Sequence, residues 1–270
     1  MAPDIMPPAT TPPVEPPRLS RPQRAAAAIK DWVVERGLQP GDRLPAEAEL
    51  MTHFGMAKGT IREALRVLEA QGLIRTRTGP GGGAFVNEVT EARAKALLGN
   101  YFYFNEISIA DIYELRGALE PVLAAQLAGN VTDEQIARLE AVMTVYEAPP
   151  ETIEESERQR IAELRFHEIL ASFSANPLLR FQCGFLVSFL KVLPICRRIY
   201  RRRIPGFRRT GRDYQARLIR ALRAGDAGAA RTIMRAHMVT AQKIMEEQES
   251  VVLRHFLSET DNRAQDAGPG

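Results

Sequence analysis

The sequence has few cysteines and no long apolar run. Its two cysteines, Cys183 and Cys196, are too few for a disulfide framework or a zinc cluster, and their apolar neighbours indicate buried side chains in a reducing compartment. The longest apolar stretch, residues 185–196, contains Lys191 and Pro194 and is shorter than the ~18 residues that a membrane-spanning helix needs. The first residues lack the charged start and continuous apolar block of a secretory signal. These absences exclude a disulfide-stapled or membrane-spanning protein and predict a cytoplasmic one.

The composition is that of a globular protein with about two domains. The 270 residues are 45% hydrophobic and 26% charged, with a net charge of +3 and a pI near 9.0 that permits a polyanionic partner without requiring one. Eight prolines among residues 1–24 predict a disordered arm, and the polar residues 258–270 predict a disordered tail. The pattern between them changes once, which predicts one domain over residues 25–89 and a second over residues 90–257.

The first domain combines short helical segments with a hairpin. Helices are predicted over residues 25–36, 46–54 and 55–72, and a turn at Gly55 joins the last two. Two strand-like segments, LIRTRT and GAFVNEV, follow, and the glycine-rich tip GPGGG joins them. Three helices and a hairpin in this order predict a winged helix-turn-helix domain.

The third predicted helix carries two different stripes. Its apolar stripe, with the spacing of a buried face, consists of Ile61, Leu65 and Leu68. Lys58, Arg62 and Arg66 lie four apart and form a cationic row on another face. One interpretation is a solvated face, and charge does not decide, because residues 25–89 carry eight basic and eight acidic side chains. The preceding helix and turn and the hairpin behind favour a helix that enters the major groove of DNA.

The segment GDRLPAEAELMTHFGMAKGTIREALRVLEAQGLIRTRTGPGGGAFV resembles the DNA-binding domain of GntR-family bacterial transcription regulators. The resemblance spans nearly 50 residues in order and includes RLP, TIREALR and a glycine-rich wing ending in FV. It implies that Lys58, Thr60 and Arg62 make the main DNA contacts and that Gly82 and Gly83 form the wing tip. The full set of predicted DNA-binding residues is Lys58, Gly59, Thr60, Arg62, Arg66, Arg75, Gly82 and Gly83.

Three positions depart from the usual pattern of that family. Ala48 stands where an arginine is common, which removes a DNA contact. Ala57 replaces the usual serine, so the recognition helix loses a side-chain N-cap that contributes ~1 kcal/mol. Lys58 replaces an arginine and exchanges a bidentate base reader for a point charge. Operator affinity or sequence preference is therefore expected to differ from the family norm.

The second domain is predicted to be an antiparallel all-α bundle of about seven helices, which include one near residues 177–203 and a last one near residues 226–256. Its segments DIYELRGALEPVLAAQLA, RFHEILASFSANPLL and ALRAGDAGAARTIMRAHM resemble the FCD effector-binding domain of the FadR subfamily of GntR regulators. A predicted extra helix near residues 91–104 favours the seven-helix form. The predicted fold is therefore mainly α, a winged helix-turn-helix followed by an FCD-like bundle. The resemblance implies a homodimer that binds a small metabolite.

Many FCD domains hold a metal ion through one aspartate and three histidines, and the matching positions here are Glu163, His167, Gln215 and His237. Two histidines are retained, but Glu163 is a longer carboxylate and Gln215 is a poorer ligand for zinc or nickel. One interpretation is a zinc or nickel site formed by Glu163, His167 and His237. The alternative is that the site is degraded or repurposed and that all four side chains line a metal-free effector pocket.

Arg116 is the candidate for gripping an effector carboxylate, since a guanidinium can form a bidentate pair. A salt bridge to Glu120, one helical turn on, is the alternative. The arginine-rich stretch 197–212 has sparse aromatic residues, so we interpret it as a solvated helix end and loop rather than a second nucleic-acid site.

These patterns together predict a cytoplasmic, homodimeric transcriptional regulator, a repressor rather than an enzyme. It is expected to bind a palindromic DNA operator and to be released by a small organic acid. A metal-dependent enzyme built on the bundle, and a ligand-independent architectural DNA-binding protein, are the two alternatives. The sequence names neither the effector nor the operator.

Overall fold

The computed structural model describes residues 19–103, 105, 107–202 and 207–266. The chain forms two compact units, Met1–Ala94 and Lys95–Gly270. Helices dominate both, and the one sheet in the described ranges has two strands, which confirms the predicted mainly α fold. The predicted proline-rich arm falls largely on residues 1–18, outside the described residues.

The first unit has the predicted order of elements. In chain order they are α1 (Arg21–Glu35), α2 (Glu47–Phe54), α3 (Lys58–Gln71), β1 (Ile74–Arg77) and β2 (Gly83–Val86). Helix α1 starts four residues before its predicted start at residue 25, because the Ser20 hydroxyl accepts the backbone N–H of Gln23 and caps it. The predicted apolar stripe of α3 is buried: Ile61, Leu65 and Leu68 are at most 7% exposed and pack in one core with α1 and α2.

The turn between α2 and α3 depends on a glycine. Gly55 has φ +62°, a left-handed conformation that glycine adopts without steric cost. Ala57 follows in the extended conformation of an N-cap but has no side chain that can accept a hydrogen bond, as the sequence predicted. Helix α3 therefore begins with exposed, uncapped backbone N–H groups.

The wing is an antiparallel hairpin that packs onto the end of α3. Ile74 pairs with Val86 and Arg77 with Gly83, so the strands stay in register up to the glycine-rich tip. Glu69 of α3 accepts hydrogen bonds from the backbone and the hydroxyl of Thr76, at 2.8 and 2.7 Å. These bonds lower the pKa of Glu69 and fix the hairpin against the recognition helix.

The second unit is an all-α bundle, and its first helix, α4, begins at Glu91, four residues before the unit boundary at Lys95. Its elements are α4 (Glu91–Tyr103), α5 (Ile109–Leu127), α6 (Asp133–Met143), a 3₁₀ turn (Thr144–Tyr146), α7 (Ile153–Ser172), α8 (Pro177–Val192), α9 (Pro194–Tyr200), α10 (Phe207–Arg223) and α11 (Ala227–Asp266). Side-chain N-caps at Ser108, Thr132, Thr152 and Asn176 set the starts of α5, α6, α7 and α8.

Two boundaries in the bundle differ from the prediction. One helix was predicted over residues 177–203, but α8 and α9 meet at Pro194 with a 71° bend, because proline has no N–H to continue the helix and clashes with the preceding turn. Helix α11 runs to Asp266 instead of ending near residue 256, so residues 258–266 are helical and the predicted disordered tail is wrong for them. Residues 267–270 of that tail lie outside the described residues. Within the described ranges, no single helix has the length and apolar character to cross a membrane, and only α8 and α9 taken together reach that length and composition.

Helices α5, α7, α10 and α11 enclose the centre of the bundle. Two apolar clusters fill its ends, one around Phe166, Leu218 and Met234, the other around Phe189, Ile199 and Met245. Polar side chains from all four helices meet between these clusters. The apolar layers thus isolate a group of charged residues from solvent.

Candidate functional site

The start of α3 presents the predicted DNA-contacting residues on the surface of the first unit. Lys58, Gly59, Arg62 and Arg66 are exposed, and Thr60 is half-buried. Arg62 Nε lies 3.3 Å from a Glu47 carboxylate oxygen. Such exposed pairs contribute at most about 1 kcal/mol, so Arg62 can exchange its carboxylate partner for a phosphate or a base.

The predicted wing glycines have a steric role in the hairpin tip. A side chain on Gly82 would collide with the backbone carbonyl oxygens of Arg77 and Gly79, and Gly83 has φ +142°. Arg43 Nη2 donates a 2.6 Å hydrogen bond to the Gly82 carbonyl oxygen and ties the tip to the loop before α2. The glycines therefore shape the tip, while the exposed Arg75 on β1 supplies a cation.

A cleft of about 420 Å³ lies beside the N-terminus of α3, lined by Arg21, Arg24, Gly55, Met56, Ala57 and Thr60. Its two cationic residues, Arg21 and Arg24, belong to α1 and lie in the segment that the sequence predicted as a disordered arm. The sequence already offers these arginines, at the end of the predicted arm, as candidate contacts to a DNA backbone, and the structure places them beside the start of the recognition helix.

In the bundle, Arg116 forms a buried ion pair. Arg116 and Glu120 on α5 are each 1% exposed, and Arg116 Nε lies 2.5 Å from Glu120 Oε1. The predicted alternative, the salt bridge one turn along the helix, is therefore present. The second guanidinium nitrogen, Arg116 Nη2, is buried and has no hydrogen-bond partner among the described residues.

The ion pair continues into a chain of hydrogen bonds. Glu120 Oε2 lies 2.5 Å from His167 Nδ1 on α7, and His167 Nε2 lies 2.7 Å from the Tyr214 hydroxyl on α10. Gln215 Nε2 donates to that hydroxyl at 3.4 Å, and the Tyr146 hydroxyl donates to Gln215 Oε1 at 2.8 Å. All donors and acceptors match if His167 carries its proton on Nδ1 and accepts from Tyr214 at Nε2.

Burial and charge set the protonation states in this chain. Burial opposes ionisation of Glu120, but the guanidinium of Arg116 and the ring of His167 outweigh it and hold the pKa of Glu120 at about 2. Burial raises the pKa of Tyr214 well above 10, so its hydroxyl stays protonated and donates. Burial, assisted by His167, Arg116 and Arg160, lowers the pKa of His237 well below 6.5. His237 is thus a neutral imidazole at neutral pH.

A small polar cavity lies beside the ion pair. Its polar walls include Arg116, Arg160, Glu163, His167 and His237. The space open to the centres of water molecules is about 20 Å³, which is room for one or two waters at ~10–15 Å³ each. Arg160 pairs with Glu163 at 2.6 Å along one wall. The cavity is therefore a confined site with two cations and two carboxylates at or behind its wall.

The three candidate metal ligands do not fit a metal ion in this arrangement. Both ring nitrogens of His167 are taken by Glu120 and Tyr214, and Glu163 is held by Arg160. His237 lies face to face with Tyr214, with ring centroids 3.4 Å apart. No three His, Cys, Asp or Glu side chains in the described ranges converge on a common point as metal ligands. The site instead offers hydrogen bonds and a guanidinium.

Two protein families match this chain. Residues 22–86 match the bacterial regulatory proteins of the gntR family, and residues 111–240 match the FCD domain. The first match contains the recognition helix and the wing, and the second contains every residue of the buried hydrogen-bonded chain. The chain belongs to the GntR family and carries an FCD domain. The predicted family is confirmed, while its placement in the FadR subfamily stays a prediction.

Individual relatives agree with this assignment. A protein of Escherichia coli strain K12 named for regulation of the L-lactate dehydrogenase operon is 29% identical over 252 residues, 90% of this chain and 92% of that protein. The transcriptional repressor NanR of Salmonella newport strain SL254 is 28% identical over 145 residues, 51% of this chain and 52% of the repressor. A solved GntR structure from Streptococcus agalactiae is 23% identical, with a TM-score of 0.55 over 82% of this chain and 99% of that structure. The structural likeness establishes a shared fold.

Family membership confirms that this GntR protein is a transcription regulator and not an enzyme. Of the predicted effector residues, Arg116, Glu163, His167 and His237 lie around one cavity. Gln215 is fully buried one layer behind, where it orients Tyr214 rather than lining the cavity.

Four residues of this site were not predicted as site residues. They are Glu120, Tyr146, Arg160 and Tyr214. The i, i+4 spacing from Arg116 signals Glu120, and the i−3 spacing from Glu163 signals Arg160. Tyr146 and Tyr214 carry no such local signal, because they reach the site only through the packing of distant helices.

Proposed function

We propose that this GntR regulator binds a palindromic operator as a homodimer in the cytoplasm and that a small organic acid in the bundle weakens its grip on DNA. Each protomer would place α3 in the major groove and its wing beside it. The acid acts by binding one arrangement of the two DNA-reading units more tightly than the other. The single observation that supports the effector part is that Arg116 lines the cavity and its buried Nη2 has no hydrogen-bond partner among the described residues.

The proposal that α3 binds DNA is supported by the ion pairs that its arginines make and by its uncapped N-terminus. Among the described residues, Arg62 pairs with one exposed carboxylate, Glu47 on α2, and the N-terminus of α3 has no side-chain cap. Both features leave donors ready for phosphate oxygens, since helix N-termini attract anions. Arg66 is paired with Glu63 at 2.5 Å, one turn further along, and is expected to contribute less.

The DNA part is tested with a duplex enriched from a random-sequence library by the full-length protein. Arg62→Ala is expected to weaken binding to that duplex by roughly tenfold or more, since a good base contact contributes about 1–3 kcal/mol. Lys30→Ala removes an exposed cation from α1 and is the matched control, with only a small salt-dependent change expected. Unchanged binding of Arg62→Ala would contradict the proposed readout.

The effector part is tested with organic acids in a thermal-shift screen followed by gel shifts on the same duplex. The relative named for the L-lactate dehydrogenase operon makes L-lactate a first choice for the screen. We expect an acid that raises the melting temperature also to reduce DNA binding. If no acid changes either quantity, the effector part of the proposal is wrong.

A further inference from the structure

The cavity in the bundle also limits which class of organic acid can bind, provided that the bundle is an effector domain as proposed above. We infer that the effector is a small monocarboxylate held directly by Arg116, with no metal ion between them.

Direct binding of the carboxylate is inferred from a buried guanidinium nitrogen of Arg116 that has no hydrogen-bond acceptor among the described residues. Arg116 is 1% exposed, so water outside the bundle does not solvate it. Glu120 accepts a hydrogen bond from its Nε, while Nη2 is buried and has no hydrogen-bond partner among the described residues, and Arg116 is one of the residues that line the cavity. A buried donor without an acceptor costs free energy, and a carboxylate oxygen is the acceptor that a guanidinium binds best. A hydrogen bond from Arg116 Nη2 to one oxygen of a bound carboxylate would therefore remove this cost.

A hydrogen bond from Tyr214 takes the position on His167 that a metal ion would need. The Tyr214 hydroxyl hydrogen-bonds to His167 Nε2, so the lone pair of that nitrogen is not available to a metal ion. Gln215 Nε2 donates a hydrogen bond to that hydroxyl, and the Tyr146 hydroxyl in turn donates to Gln215 Oε1. Glu120 occupies the other nitrogen of His167, so the imidazole has no lone pair to offer. The hydrogen bonds of this chain hold the side chains of Glu120, His167 and Tyr214 in place without a metal ion.

The charges around the cavity limit the charge of the ligand. Two guanidinium groups, Arg116 and Arg160, are already matched by two carboxylates, Glu120 and Glu163. A monoanion adds one negative charge that both guanidinium groups can share. A second carboxylate on the ligand would be brought close to Glu163 or Glu120 in a buried site, where like charges repel strongly. Dicarboxylates and tricarboxylates are therefore disfavoured.

The volume limits the size of the ligand. Space for one or two water molecules is smaller than any carboxylic acid, so a ligand has to displace this water and widen the cavity, and the widening is least for a carboxylate with a short chain. His237 lies on the cavity wall as a neutral hydrogen-bonding group. A hydroxyl beside the carboxylate would have a partner there. Acetate, glycolate and L-lactate are thus the ligands to test against succinate and citrate.

The experiment is calorimetric titration of the full-length protein in EDTA with each of these five acids, together with elemental analysis of the protein purified without chelator. We expect at least one monocarboxylate to bind in EDTA and to bind roughly tenfold or more tightly than succinate and citrate. Arg116→Lys keeps the charge opposite Glu120 but removes Nη2, so it should weaken binding about tenfold or more. The double variant Arg116→Gln/Glu120→Gln removes both charges together and should also lose binding. Arg223→Gln, which breaks an exposed pair with Glu140, is the control and should bind as the unmodified protein does.

The contrary outcomes separate this inference from the proposed function. Binding that needs zinc or nickel, stoichiometric metal in the purified protein, a preference for citrate or succinate, or full affinity in Arg116→Lys would refute this inference and leave the proposed effector domain standing. If none of the five acids binds and the wider screen also fails, the proposed effector function falls with it.

Discussion

The two units of this GntR regulator place similar ion pairs in opposite surroundings. In the first unit, Arg66 and Glu63 pair at 2.5 Å with side chains 72% and 52% exposed. In the bundle, Arg116 and Glu120 pair at the same distance with side chains 1% and 2% exposed. Spacing along the helix is nearly the same, three residues against four. Burial, and not spacing, therefore separates a replaceable surface contact from a fixed element of the core.

This difference matches what each unit has to do. A DNA-reading face needs cations whose partners can be exchanged for phosphates, and exposed pairs that contribute at most about 1 kcal/mol allow this. A ligand site needs donors that stay in place before the ligand arrives, and buried charges held by several partners provide that. Exposed pairs thus suit the recognition helix, while the buried chain around Glu120 suits the cavity.

The sharpest way to break the comparison is to remove one partner of the buried pair. Glu120→Gln leaves the Arg116 guanidinium buried without a counter-charge and should lower the free energy of unfolding by roughly 3–5 kcal/mol. Chemical denaturation of the full-length protein, followed through the bundle's helices, measures this change. Glu140→Gln breaks an exposed pair with Arg223 in the same unit and should cost less than about 1 kcal/mol. Equal losses in the two variants would show that burial does not decide the strength of these pairs.

A second prediction concerns pH and the buried imidazole of His237. Burial keeps its pKa well below 6.5 in the folded protein, whereas in the unfolded chain it takes up a proton near 6.5. The unfolded state therefore binds more protons below that pH. The stability that His237 contributes is complete above pH 6.5 and is lost as the pH falls, by about 1.4 kcal/mol for each pH unit.

Thermal melts between pH 7.5 and 5.5 measure this loss, and the variant His237→Phe isolates it. The phenyl ring retains the stack on Tyr214 but cannot titrate, so the melting temperature should fall less steeply with decreasing pH than in the unmodified protein. An identical slope in the variant would assign the acid sensitivity to another group.

Most of the fold could be predicted from the sequence because its signals are local. The stripe Ile61, Leu65 and Leu68, the turn at Gly55 and the hydroxyl cap at Ser108 each act within a few residues of the chain. The break at Pro194 was missed because apolar residues continue on both sides of it and periodicity alone does not register a bend.

The site could be predicted only in part because its partners are distant in sequence. His167 and Tyr214 are 47 residues apart, as are Glu120 and His167, and only the packing of α5, α7 and α10 brings them together. The resemblance to FCD domains identified Gln215 as a changed metal position. It could not reveal that the Tyr214 hydroxyl hydrogen-bonds to His167 Nε2, because that bond depends on the packing of α7 against α10.

The smallest predicted effect lies at the exposed pair Arg62–Glu47, whose side chains are 58% and 39% exposed. Glu47→Gln should lower the free energy of unfolding by less than about 1 kcal/mol, including the loss of a favourable carboxylate in the first turn of α2. The same change should tighten binding to the enriched duplex by up to about fivefold, because Arg62 no longer has to leave a carboxylate before it meets DNA. Denaturation and gel shifts on one preparation test both statements. A loss above about 2 kcal/mol, or weaker DNA binding, would place Glu47 with Glu120 as a structural partner and remove the distinction between the two units.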